Sequence, residues 1–186
     1  MHYSDTLENH IDKKETVLWS ILLFSNQGQE SLKEVLKKTD QILPPIKASS
    51  IYSVKGNPNK IEHIHDLRSL NSYSGLCLVL LSECGEAPEK IMTYFQSFES
   101  EFKKEAKRRS LSLNLLMYDD LTLMTPEVTL PHPDFHHRPE FVVPAAEIWG
   151  DKTHPILEKT INQLAKDFRA VEWGEFYAQS ETVLAF

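Results

Sequence analysis

The side chains best suited to grip a phosphate and orient a reaction lie between Lys107 and Glu147. Lys107, Arg108 and Arg109 form a basic run just ahead of an alternating apolar segment. An arginine there can make two parallel hydrogen bonds to phosphate oxygens, although cations at a helix end also serve to offset its dipole. His132 stands between Pro131 and Pro133, so its backbone is stiff and its ring has little freedom to withdraw. Thr129 precedes it by three residues and Arg138 follows it by six. Gln96 and Glu99 are three residues apart on a helical pattern and share a face, though exposed polar residues on a helix need no ligand to explain them.

Ser112 and Asn114 alternate along the apolar segment, and alternate side chains of a strand point to one face. That is the spacing of a metal pair with the wrong chemistry. Magnesium prefers carboxylate and phosphate oxygens, so no metal ligand is assigned. Asp119 and Asp120, the nearest carboxylates, fall past the strand end at a turn. His136 and His137 follow His132 closely and could suggest zinc, but no cysteine or third ligand stands at a recognised spacing.

The elements that must position these groups follow from periodicity. Val17–Phe24 is a nearly continuous apolar run, the pattern of a central strand covered on both faces. Ser31–Ile42 carries Leu32, Val35, Leu36 and Thr39 at helical spacing and is stopped by Pro44-Pro45. Ile46–Val54 alternates as a second strand and Gly75–Ser82 reads as a buried third. A second helix over Glu89–Lys107 aligns Ile91, Met92, Phe95, Phe98 and Phe102. Leu111–Tyr118 is the next strand, followed by a short extended segment at Val128–Leu130 and a loop over Pro131–Pro139. Phe141–Ile148 reads as a short helix or an extended packing segment, and His154–Phe168 as a helix with Ile156, Leu157, Ile161, Leu164 and Phe168 inward.

The order strand-helix-strand-strand-helix-strand predicts an α+β chain with a ferredoxin-like antiparallel sheet and helices packed on one face, plus a C-terminal helix and tail. Residues 1–16 read as a flexible leader, 17–170 as the domain, and 171–186 as an aromatic extension packing back on it. The Lys55–Ser74 segment is polar and too long for a plain hairpin, so it reads as either a mobile substrate loop or a partly disordered segment.

At 186 residues the chain can bury one good core. A net charge of −7 argues against a nucleic-acid partner, which needs a basic face to neutralise phosphates. Cys77 and Cys84 indicate no disulfide framework and read as buried thiols in a reducing compartment. Residues 1–16 lack a signal-peptide pattern, and the eight-residue run Val17–Phe24 is far short of the roughly 20 residues of a membrane span. A cytoplasmic chain with no membrane partner is the expectation.

Quoted together, the motifs resemble those of the 6-hydroxymethyl-7,8-dihydropterin pyrophosphokinases of folate synthesis. The resemblance runs through Phe24-Ser25-Asn26, Ser49-Ser50-Ile51-Tyr52, Gln96-Ser97-Phe98-Glu99, Tyr118-Asp119-Asp120, Val128-Thr129-Leu130-Pro131-His132-Pro133, Arg138 and Val142–Ile148. Pro-His-Pro with the downstream arginine is its most specific part. It implies a ferredoxin-like fold, in agreement with the element order. It also implies ATP as co-substrate, with Arg109, His132 and Arg138 as catalytic phosphate contacts and Gln96, Glu99 and Thr129 as nucleotide-binding residues.

Magnesium is expected from the family, but the two aspartates that hold it there are replaced by Ser112 and Asn114. The family's pterin-binding Asn falls on Cys77, and its pterin-stacking Phe falls on Glu140, with Phe141 beside it. The nucleotide side of the pattern is largely kept, whereas the metal and pterin sides are largely lost. Two readings follow. One is a pyrophosphokinase acting on a dihydropterin with weak or altered activity. The other is an inactive homologue serving as a nucleotide-binding or regulatory module.

Overall fold

The structure, a computed structural model, describes residues 14–25, 27–55, 74–105 and 110–184. Most of the expected leader, the Lys55–Ser74 loop and Arg109 lie outside the described residues.

The centre of the molecule is β1 (Glu15–Phe24), hydrogen-bonded on one side to β4 (Ser74–Cys84) and on the other to β5 (Ser110–Tyr118). Both neighbours run antiparallel to it. β4 in turn pairs with β2 (Pro45–Ala48) and β3 (Ile51–Lys55), and β3 pairs with β8 (Gly174–Ala178), giving the order β5-β1-β4-β3-β8. The expected second strand, Ile46–Val54, is thus two pieces with a break at Ser49-Ser50. Ser49 heals the break: its N–H donates to the Val79 carbonyl at 2.9 Å and its hydroxyl accepts the Val79 N–H at 3.1 Å.

The odd-numbered side chains of β1 (Val17, Trp19, Ile21, Leu23) face α1 (Gly28–Thr39) and α2 (Pro88–Glu105). In α1 the buried stripe is Leu32, Val35, Leu36 and Thr39; in α2 it is Ile91, Phe95, Phe98 and Phe102. Both have the spacing of an amphipathic helix. Trp19 and Phe95 meet at 5.7 Å between ring centroids, and each ring so enclosed contributes roughly 1.5–3 kcal/mol by leaving water.

The opposite face also carries helices. Leu18, Val79, Leu81, Leu116 and Met117 pack there against Phe135, against Phe141, Val142 and Ala145 of α3 (Pro139–Trp149), and against Ile161 and Leu164 of α4 (Ile161–Ala165). The helix expected over His154–Phe168 begins only at Ile161, and Ile156, expected inward, is 62% exposed. The His154 ring explains the difference. Its Nδ1 accepts the Ile156 and Leu157 N–H groups at 3.3 and 3.2 Å, closing a turn in which Glu158 takes a positive φ of 54°. Thr160 then starts the helix with a capping box, its hydroxyl accepting from Gln163 N–H while the Gln163 side chain accepts from Thr160 N–H. The short hairpin of β6 (Leu123–Met124) and β7 (Thr129–Leu130) lies beside β5, and α5 (Glu181–Leu184) closes the described chain.

Candidate functional site

Between α2 and the β6–β7 hairpin lies a cleft of about 230 Å³, and its walls include Met92, Glu127, Thr129, His132 and Pro133. The loop that supplies His132 is tied to the sheet, because the His132 N–H donates to the Leu116 carbonyl of β5 at 2.8 Å. His132 Nδ1 accepts the Asp134 N–H at 3.1 Å, so the neutral ring carries its proton on Nε2 and can donate from there. Gln96 is exposed one turn after Met92, on the same side of α2. Thr129 and His132 are therefore brought together in the cleft, and Gln96 is not among its lining residues.

Arg138 precedes α3 and is half-buried. Its Nε and one terminal nitrogen both reach Glu140 Oε1 at 2.7 Å, and its Cζ lies 4.1 Å from the centre of the Phe141 ring. His132 meets the same ring edge-on at 5.5 Å. Phe141, 1% exposed, thus couples the His132 ring and the Arg138 guanidinium rather than presenting a free face. Glu99 is placed differently from the sequence expectation. Its Oε1 accepts the Leu113 N–H of edge strand β5 at 2.5 Å, a structural bond that satisfies an otherwise open strand edge. Burial raises the Glu99 pKa, and that backbone bond works against the shift. Arg109 is not among the described residues.

A second group of residues crosses the sheet in register. Ser112, Leu22, Cys77, Tyr52 and Phe176 are successive partners on β5, β1, β4, β3 and β8, and directly paired residues share a face. Val79 lies two residues from Cys77 on that face, so the row runs alongside the region that α3 covers. Arg138 and Glu140, at the start of α3, act electrostatically on Cys77. Burial first, then the Glu140 charge, push the Cys77 thiol well above its ordinary range, which keeps it neutral and unreactive.

At the far end of the row, the Glu147 carboxylate accepts the Ser50 N–H at 2.7 Å and the Tyr52 hydroxyl. Burial, followed by the bond to Glu147, raises the Tyr52 pKa. The Trp173 ring packs on Tyr52 with centroids 4.9 Å apart.

The residues at the expected metal position do not fit a divalent pair. Ser112 Oγ donates to Asn114 Oδ1 at 3.4 Å and Asn114 Nδ2 donates to Ser20 Oγ at 3.2 Å, a closed chain of neutral groups. Among the described residues no group of three or more His, Cys, Asp or Glu side chains is arranged to hold a metal ion. Asp119 and Asp120 are engaged elsewhere, with Lys152 at 2.7 and 2.8 Å. Burial opposes the charge of Lys152, but bonds to both carboxylates outweigh it and raise the Lys152 pKa.

The histidines noted beside the loop form a cluster of another kind. His136 and His137 rings lie 3.8 Å apart and His136 and His154 rings 6.1 Å apart. His136 Nδ1 and His154 Nε2 are buried without a hydrogen-bond partner. Sequence reasoning did not anticipate the Tyr52–Glu147 pair or the placement of Trp173 and Phe176. The aromatic content of the tail was the available signal.

Comparison with known proteins bears on this arrangement. The family described as 7,8-dihydro-6-hydroxymethylpterin-pyrophosphokinase (HPPK) matches residues 20–150. Relatives named 2-amino-4-hydroxy-6-hydroxymethyldihydropteridine pyrophosphokinase include one from Aquifex aeolicus, 24% identical over 147 residues, covering 76% of this chain and 86% of the relative. One from Synechocystis sp. is 45% identical over 56 residues, which is 30% of this chain and 29% of that protein. A Haemophilus influenzae relative is 31% identical over 86 residues, 44% of this chain and 53% of its own.

Among solved structures, a Plasmodium falciparum HPPK-DHPS with pteroate aligns at a TM-score of 0.62 and 13% identity, covering 84% of this chain and 43% of that one. An HPPK-DHPS in complex with substrates aligns at 0.66 and 10% identity, covering 84% and 44%. These two likenesses concern the fold. The chain spans under half of each solved structure and 29% of the Synechocystis relative.

Proposed function

This chain belongs to the 7,8-dihydro-6-hydroxymethylpterin-pyrophosphokinase family, and from that premise we propose that it binds ATP and transfers pyrophosphate to a hydroxymethyl dihydropterin at a rate well below the family's. The reaction forms a bond from the hydroxymethyl oxygen to the β-phosphorus. The bond from that phosphorus to the α–β bridging oxygen breaks, AMP leaves with the electron pair, and the hydroxyl proton is released. Catalysis of such a transfer is mainly positioning and charge stabilisation.

In this reading His132 donates from Nε2 to a phosphate oxygen, Thr129 adds its hydroxyl, and Gln96 supports the nucleotide from α2. Arg138 shares its guanidinium between Glu140 and the phosphates, and Arg109 adds a further cation from the chain just before β5. Glu99 contributes indirectly by fixing the edge of β5. The observation supporting the reading is the cleft where Thr129 and His132 converge on α2. Magnesium supplies charge neutralisation in this family. Ser112 and Asn114 do not fit it, so no step is routed through it here. Each absent carboxylate removes several kcal/mol of transition-state stabilisation, which is the ground for weak turnover.

The neutral Ser112–Asn114–Ser20 chain favours a second reading, a nucleotide-binding or regulatory module without catalysis. AMP release from ATP and the hydroxymethyl dihydropterin, measured beside Ser112→Asp/Asn114→Asp, decides between them. The first reading expects slow release that rises on substitution, whereas the second expects none from the unmodified protein while ATP still binds. Release at a rate typical of the family from the unmodified chain would refute both.

A further inference from the structure

We propose that Trp173 and Phe176, carried on and just before β8, form with Tyr52 an aromatic wall that binds the flat heteroaromatic ring of the acceptor substrate. This deepens the functional reading above and rests on it. The two residues lie beyond the family match at residues 20–150, so the wall is a contribution of the chain's C-terminal part.

The row across the sheet carries the argument. Phe176 pairs with Tyr52, Tyr52 with Cys77, and Cys77 lies one strand from Leu22, which faces Ser112. Neighbouring strands are about 4.8 Å apart, so Tyr52 stands roughly 14 Å from Ser112 along one face. Trp173 is already in ring contact with Tyr52 at 4.9 Å. Phe176 is 59% exposed on the same face, an apolar ring in water immediately beside the row. Planar heteroaromatic rings stack on such side chains whatever their detailed substitution.

The α3 end of the row offers no alternative. Glu140 is held by Arg138, and Phe141 is enclosed between Arg138 and His132. The wall is also firmly placed. β8 pairs with β3 from Ile51↔Ala178 to Val54↔Gly174, and a Cβ at Gly174 would stand 3.0 Å from the Ser53 carbonyl oxygen. The strand therefore approaches β3 closely enough that a side chain at Gly174 would be tight against it.

The test is calorimetric titration of the full chain with 6-hydroxymethylpterin and, separately, with a non-hydrolysable ATP analogue. Unmodified protein, Trp173→Ala, Trp173→Phe and Phe176→Ala are compared, with melting temperatures alongside. The expectation is a roughly tenfold weaker pterin affinity for Trp173→Ala, the order of one lost stack. Phe176→Ala should show a smaller loss, Trp173→Phe should retain most of the affinity, and ATP-analogue binding should move less than twofold.

Pterin affinity unaffected by either alanine substitution overturns the wall, as does unmodified protein that binds the nucleotide but no pterin. A joint fall of melting temperature and both affinities also overturns it, since that marks Trp173 and Phe176 as structural cover for Tyr52. If the nucleotide fails to bind while pterin affinity still falls on Trp173→Ala, the wall stands and the ATP-dependent reading fails.

Discussion

The cleft beside α2 and the row across the sheet differ in how their polar groups are held. In the cleft, His132 is fixed through its backbone N–H, which donates to the Leu116 carbonyl, and through Nδ1, which accepts the Asp134 N–H. In the row, Ser112, Asn114 and Ser20 satisfy one another, and Tyr52 and Ser50 are bound by Glu147. On the proposed reading, the first region would donate to an incoming anion. The other is built from neutral groups that close on themselves and from aromatic rings. If the proposed function holds, binding a phosphate and accelerating its transfer rest on different residues, and the second could be lost while the first persists.

Phe141 is where the comparison breaks most sharply, because its ring touches both His132 and Arg138. Phe141→Ala should cost about 3–5 kcal/mol of stability, the range for emptying a buried aromatic site, and should weaken nucleotide binding as well. Denaturant unfolding together with ATP titration measures both; a stable variant with native affinity would show that His132 and Arg138 are positioned independently.

His132→Ala should leave the melting temperature near that of the unmodified protein and weaken ATP-analogue binding about tenfold or more, as expected for one lost hydrogen bond to a charged group. Unchanged affinity would remove His132 from the site. Glu99→Ala should do the reverse. With the Leu113 N–H left open, stability should fall by about 1 kcal/mol while nucleotide affinity holds, so an affinity loss in a stable variant would return Glu99 to the nucleotide.

The smallest effect concerns pH. Burial, chiefly, lowers the pKa of both His136 and His154 from the ordinary 6.5, and the neighbouring imidazoles add to it. A base with a depressed folded pKa resists protonation only while folded. Stability is therefore fully present above about pH 6.5 and declines as pH drops below it towards the folded values. Denaturation midpoints at pH 7.5 and 6.0 should differ modestly in that direction, and His136→Gln should flatten the difference. Identical midpoints for the unmodified chain would mean that neither imidazole is held neutral by the fold.

Much of this was legible from residue order. Val17–Phe24 reads as a central strand because both of its faces are apolar, and it is one. The α2 stripe from Ile91 to Phe102 is a helical period and packs as such. His154–Phe168 misled because Ile156, Leu157, Ile161 and Leu164 satisfy a helical spacing that the His154 side chain cancels by taking two backbone N–H groups. The Glu99 bond was not legible for a related reason: three-residue spacing from Gln96 places it on a face but says nothing of a strand edge fourteen residues later.

The sequence by itself determined the α+β class, the central strands and helices, and the neutral side chains at Ser112 and Asn114, because periodicity and side-chain charge are local properties. Only the tertiary structure decided what surrounds them. It enclosed Phe141 between His132 and Arg138, gave the Leu113 N–H to Glu99, and set Trp173 and Phe176 beside Tyr52. Each of those depends on cross-strand register or helix packing between residues far apart in the chain, which no local pattern records.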